Sequence, residues 1–111
     1  MTRAILLCLL CITPAHARAG DMLASWYGFE SGTRTATGER FNPHAMTCAF
    51  WGVPFGTMLR VTYQGRAMVC TVNDRGPARW TGRGIDLSMG MAAAIGLKRR
   101  GVGRVSVERI S

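Results

Sequence analysis

The sequence predicts a small, mostly β domain closed into a compact barrel with one short α-helix. Three observations point there: two alternating apolar segments joined by a tight turn, one stretch of helical periodicity, and a chain of only 111 residues. That length holds one hydrophobic core and excludes a two-domain enzyme. With 48% hydrophobic and 18% charged residues, the chain has enough apolar surface to bury, which excludes disorder along its whole length.

Residues 1–19 stand apart from that core. Thr2 and Arg3 form a short basic start, and Ala4 to Ile12 is an unbroken apolar run. A bilayer span takes about 20 apolar residues, and this run is shorter and is followed by Pro14 and small residues. It reads as a secretory signal peptide cleaved after Ala17 or Ala19, leaving residues 20–111 as the domain. Cys8 follows Leu7 and Cys11 follows Leu10, so the small residue that a lipid-modified start requires is missing. A soluble, periplasmic or secreted protein without a membrane anchor is expected.

Asp21 to Gly28 reads as a first strand, followed by a long loop rich in Gly, Thr and Ser up to Pro43. Met46 to Phe50 is a short second strand. Thr57 to Tyr63 alternates, with Leu59, Val61 and Tyr63 on one face, and Gln64-Gly65 turns the chain into Arg66 to Asp74. Period two puts Met68, Cys70, Val72 and Asp74 on one face of that fourth strand. A Gly-Pro turn at Gly76-Pro77 ends it, and a bend through Gly82 and Gly84 leads into Ile85-Asp86-Leu87-Ser88. Leu87, Met91 and Ile95 then recur at helical spacing, with Asp86 or Ser88 to cap the start and Gly96 to end it. Lys98 to Arg100 reads as a solvated turn, and Arg104 to Ile110 as a last strand.

Without the leader, Cys48 and Cys70 are the remaining cysteines, and an even pair in an oxidising compartment predicts one disulfide. Two cysteines with no clustered histidine cannot complete a four-ligand zinc shell, and no nucleotide loop is present, so neither metal nor cofactor is expected. Fourteen Lys+Arg against six Asp+Glu favour anionic partners. The arginines are scattered, which points to solubility and wall polymer rather than to nucleic acid.

Three ordered segments carry more than fold class: Ala24-Ser25-Trp26-Tyr27-Gly28, Thr35-Ala36-Thr37-Gly38-Glu39-Arg40-Phe41, and Val72-Asn73-Asp74-Arg75-Gly76-Pro77. With Pro54-Phe55-Gly56-Thr57 and Ile85-Asp86-Leu87-Ser88, they resemble the rare lipoprotein A (RlpA-like) family over nearly the whole mature chain. The resemblance implies a six-stranded double-psi β-barrel related to barwin and expansin, in exported proteins that act on peptidoglycan. It implies lytic transglycosylase cleavage of glycan strands lacking stem peptides, to 1,6-anhydromuramoyl ends. Asp74 and Glu39 match two members of the family's functional trio, and Phe50 stands where the third, a histidine, is found.

The expected catalytic residues are therefore Asp74 and Glu39, with Tyr27, Gly28, Phe50, Asn73, Arg75 and Trp80 as substrate contacts. A lytic transglycosylase manages with one acid/base residue, because the muramic acid's own C6 hydroxyl captures the cation. That residue must begin protonated, which needs burial or a neighbouring like charge. Asp86 reads as structural, at the helix start. If Cys48 and Cys70 bridge parallel strands, Phe50 lies within about 10 Å of Asp74. The second reading is a glycan-binding module that turns nothing over, and a third is a basic interaction protein; a single copy is expected to act alone on glycan strands.

Overall fold

The computed structural model describes residues 18–111; most of the expected leader, residues 1–17, lies outside them. Among the described residues the strands are β1 (Arg18–Tyr27), β2 (Thr47–Ala49), β3 (Met58–Tyr63), β4 (Arg66–Asp74), β5 (Ile85–Ser88) and β6 (Gly103–Arg109). They close into a barrel in the order β1-β5-β2-β4-β3-β6, with β6 returning antiparallel to β1. One short helix, α1 (Met89–Ile95), packs on β4, β5 and β1. The mostly-β barrel with a single helix expected from the sequence is the fold observed.

Two elements differ from the sequence reading. β1 starts at Arg18, opposite Glu108 of β6, three residues before the expected Asp21. Ile85 to Ser88 forms β5, so Leu87 belongs to a strand rather than to the helical face. The long connection after β1 is ordered by a turn at Phe29–Ser31, a bridge between Arg34 and Arg40, and the buried side chains of Thr35 and Phe41.

β3 and β4 form the expected hairpin, paired without a break from Met58↔Thr71 to Tyr63↔Arg66. Gln64 and Gly65 both have positive φ, 47° and 84°, as a two-residue turn matching strand twist requires. Leu59 and Val61 are fully buried and Tyr63 nearly so, facing Cys70, Val72, Ile85, Leu87, Val105 and Val107 in one core. Met68 departs from the expected core face: β4's first residues run out with the turn into solvent, and its side chain is exposed.

The disulfide joins Cys48 of β2 to Cys70 of β4, with a Cα–Cα distance of 5.8 Å. Its ends are 22 residues apart, a loop whose closure is worth roughly 3 kcal/mol in the chain-entropy model.

β2 runs parallel to β4, and their register is broken once. Thr47 pairs with Thr71 and Cys48 with Val72, but Ala49 pairs with Asp74, so β4 carries one extra residue, Asn73, in a β-bulge. This overturns the expectation that Asp74 continues the Cys70–Val72 face. The extra residue breaks the alternation, and Asp74 comes up beside Ala49 on the outside of the barrel.

Candidate functional site

The bulge completes a row across four adjacent strands. Asp74 of β4 is level with Ala49 of β2, Ala49 with Asp86 of β5, and Asp86 with Ser25 of β1. The neighbours Ala24, Ile85 and Leu87 point into the core, so alternation turns Ser25 and Asp86 outward. Two aspartates thus flank one alanine on the outer face, their Cα atoms about 10 Å apart at ordinary strand spacing.

Asp74 is half-buried at the tip of β4. Its Oδ1 accepts from the backbone N–H groups of Ala36 and Arg75, both at 2.9 Å, and the Tyr27 hydroxyl lies 3.5 Å from Oδ2. The bond from Ala36 pins the loop after β1 across the row. Within that loop Gly38 donates to the Thr35 carbonyl and Thr35 to the Glu39 carbonyl. Glu39 is therefore held three residues from the Asp74 contact, exposed, its carboxylate accepting from the Thr37 hydroxyl at 3.0 Å.

Asp86 is not the helix cap expected from the sequence. Ser88 takes that role: its Oγ accepts from Met91 N at 3.1 Å and donates to the Ala45 carbonyl. Asp86 instead accepts from the Ser25 hydroxyl at 2.5 Å. Its pKa is raised above 3.8, first by burial and then by the charges of Asp74 and Glu30, against the opposing effects of the Ser25 bond and Arg83. Burial also pushes the Tyr27 phenol up, with further contributions from Asp74 and Asp86. Sequence reasoning missed Asp86 as a site residue because both a cap and an outward strand position suit an Asp before Leu-Ser; the only available signal was its place in a family-like motif.

The other expected contacts separate into two groups. Tyr27 and Gly28 are at the row: the Tyr27 ring stacks on Phe41 at 4.8 Å, and Gly28 N donates to Glu30 Oε2. Phe50 is adjacent, its backbone N–H donating to the Asp74 carbonyl at 3.1 Å, as the parallel arrangement requires. Arg75 does not fold back on Asp74. Its guanidinium donates to the Phe50 carbonyl and lies over the Phe55 ring. Asn73 keeps its Oδ1 buried with no partner, so that acceptor does not face the groove. Trp80 is 89% exposed in the turn Arg79–Thr81 and outside the row. His44 is edge-on to Phe29 and does not replace the missing family imidazole.

Upstream of the row on the same outer face is a concavity of about 530 Å³, lined among others by Asp21, Leu23, Phe50 and Trp51 and by Arg79, Arg83 and Arg104. It shares Phe50 and Pro77 with the surroundings of Asp74 but not the aspartates themselves.

Residues 20–107 match the lytic transglycolase family. The chain belongs to that family. Among its curated relatives, the probable endolytic peptidoglycan transglycosylase RlpA of Synechocystis is 51% identical over 90 residues, covering 78% of this chain and 27% of the relative. The endolytic peptidoglycan transglycosylase RlpA of Pseudomonas aeruginosa is 41% identical over 99 residues, covering 85% and 29%. This lytic transglycolase domain thus spans about a quarter of the length of such relatives. Among solved structures, the Streptomyces papain inhibitor superposes with a TM-score of 0.65 at 20% identity, covering 83% of this chain and 94% of that one. Cerato-platanin 3 from M. perniciosa superposes at 0.58 and 10% identity, covering 82% and 94%. These structural likenesses bear on fold alone, the double-psi barrel shared with barwin and expansin.

Proposed function

We propose that the domain is a lytic transglycosylase acting on peptidoglycan glycan strands without stem peptides. The observation that carries this reading is the row Asp74–Ala49–Asp86, capped by Tyr27 and overhung by the Glu39 loop. Asp74 is the acid/base residue at the scissile bond. It protonates the leaving glycosidic oxygen and then takes the proton of the C6 hydroxyl as that oxygen attacks C1. The bond to the departing sugar breaks, the 1,6-anhydro ring closes, and no water enters. Glu39, on the loop that Asp74 pins, orients a sugar hydroxyl. Tyr27 and Phe50 border the groove.

Relatives named as peptidoglycan transglycosylases support the substrate class, and a peptidoglycan substrate lies outside the cytoplasm. Cleavage of a leader after Ala17 would leave β1 whole, since Arg18 already pairs with β6.

A binding-only reading has its own support: Phe50 supplies no proton, and Asp74 also serves as the anchor of the 35–39 loop. Digestion of peptide-free peptidoglycan, with mass spectrometry for anhydromuramoyl ends, decides between them. Anhydro products that vanish in Asp74→Asn are expected. Retention on wall polymer without products, in wild type and variant alike, would leave the binding reading.

A further inference from the structure

Along β1, residues 21, 23, 25 and 27 share the outer face. Tyr27 and Ser25 reach the two aspartates, whereas Asp21 and Leu23 line the concavity. β5 runs parallel beside β1, so Gly84 at the concavity is only two residues from Asp86. The aspartate row and the concavity are two stations on one strip, about 7 Å apart along the strand between Ser25 and Leu23.

The chemistry of the two stations is opposite. Arg79, Arg83 and Arg104 line the concavity against one carboxylate, Asp21. Arg104 is opposite Leu23 across the β1–β6 pair. Among the described residues the ion pair at contact distance is Arg60–Glu108, on another part of the surface, and of the three arginines Arg83 is near enough to Asp86 to act on its carboxyl. The wall beside them is aromatic: Trp51 is fixed by its Nε1 donating to the Pro77 carbonyl at 2.8 Å, and Arg79 lies 5.0 Å from its ring. Gly84 also lines the concavity and is packed closely on β1, where a Cβ would lie 2.7 Å from Met22 Sδ and 2.9 Å from Met22 Cβ. Open cations beside a fixed aromatic face suit a sugar ring that carries an anionic substituent.

We propose that this concavity is a subsite for the free lactyl carboxylate of a muramoyl residue, next along the strand from the one held at Asp74. The proposal rests on the glycan-strand reading above and extends it. A lactyl group in an amide bond has lost the charge that the arginines would recognise, so the subsite selects strands from which peptides have been removed at that position.

Binding is measured by calorimetry on the Asp74→Asn protein, with three peptide-free probes: a muramoyl tetrasaccharide with free lactyl acids, the same compound as lactyl amides, and a chitin tetrasaccharide. The acid is expected to bind about tenfold more tightly than the amide, with an advantage that shrinks as salt is raised. Arg83→Gln with Arg104→Gln should bring the acid down to the amide's affinity and leave the amide unchanged, with the unfolding temperature of the protein preserved. Equal binding of acid and amide, or an advantage that survives the double variant, overturns the subsite. Inorganic phosphate displacing the acid as well as lactate does would overturn it too, by showing a general anion sink. The catalytic reading fails separately: wild type yielding no anhydro ends while the acid preference holds would remove the enzyme and keep the subsite. Equal cleavage rates on acid and amide strands would do the reverse.

Discussion

The two sides of the barrel are built by different rules. On the β3–β4–β6 side all pairings are antiparallel, the hairpin keeps register over its whole length, and alternation alone sends Leu59, Val61 and Tyr63 inward. On the β1–β5–β2–β4 side two pairs are parallel, the register slips at Asn73, and the outer face carries two aspartates, a serine and a half-buried phenol. The regular side supplies core; the irregular side spends its regularity to aim Asp74 outward and to hold Asp86 half-buried. A bulge on the regular side would cost packing and gain nothing. Without the bulge on the other side, Asp74 would enter the core beside Val72, where a carboxylate has no partner.

This contrast is tested most severely by Asp74→Asn. It should cut formation of anhydro ends by roughly 10²–10⁴-fold, the range of one acid/base group, with the unfolding temperature little changed. A comparable loss of stability instead would mean that Asp74 serves the fold and not the chemistry. Next is Leu59→Ala on the regular side, expected to destabilise by about 2–5 kcal/mol in denaturant titration without changing which products form. Opening the disulfide by Cys48→Ala with Cys70→Ala should cost about 3 kcal/mol. It should also lower activity in the folded protein, because β2 and β4 carry the bulge.

Asp86→Asn gives a smaller effect with a definite pH sign. The folded protein holds the Asp86 proton above the ordinary value of 3.8, so as pH rises past that value the unfolded chain ionises first and stability is lost until the folded group has titrated too. The variant lacks this loss. Its unfolding temperature relative to wild type should be higher at pH 7 than at pH 3; equal differences at both would show that Asp86 is no strained acid. Smallest is Arg60→Ala, which removes the exposed pair with Glu108 at 2.8 Å. Less than about 1 kcal/mol is expected there.

Much of the fold was legible because local chemistry dictates it. The Gln64-Gly65 turn, the alternation through β3 and β4, the Ala-rich helix ended by Gly96, and the pair Cys48 and Cys70 all report on neighbours close in sequence or on covalent options that are few. Asp74 and Glu39 could be named from their motifs, whereas the closeness of Phe50 to Asp74 hung on strand direction, which the parallel β2–β4 pair supplies even though the bulge takes Asp74 off the Cys70–Val72 face.

What the tertiary structure alone decided was which face each acid occupies and what stands beside it. A bulge moves one residue and leaves no local signature in Val72-Asn73-Asp74, since the slip is defined by the partner strand. Asp86 reads as a helix cap until Ser88 is seen in that role and Ser25, 61 residues away, is seen donating to it. The gathering of Arg79, Arg83 and Arg104 likewise depends on β6 closing against β1. Periodicity is a property of one strand, whereas a site is a property of which strands lie side by side, and barrel closure sets that order through burial summed over the whole chain.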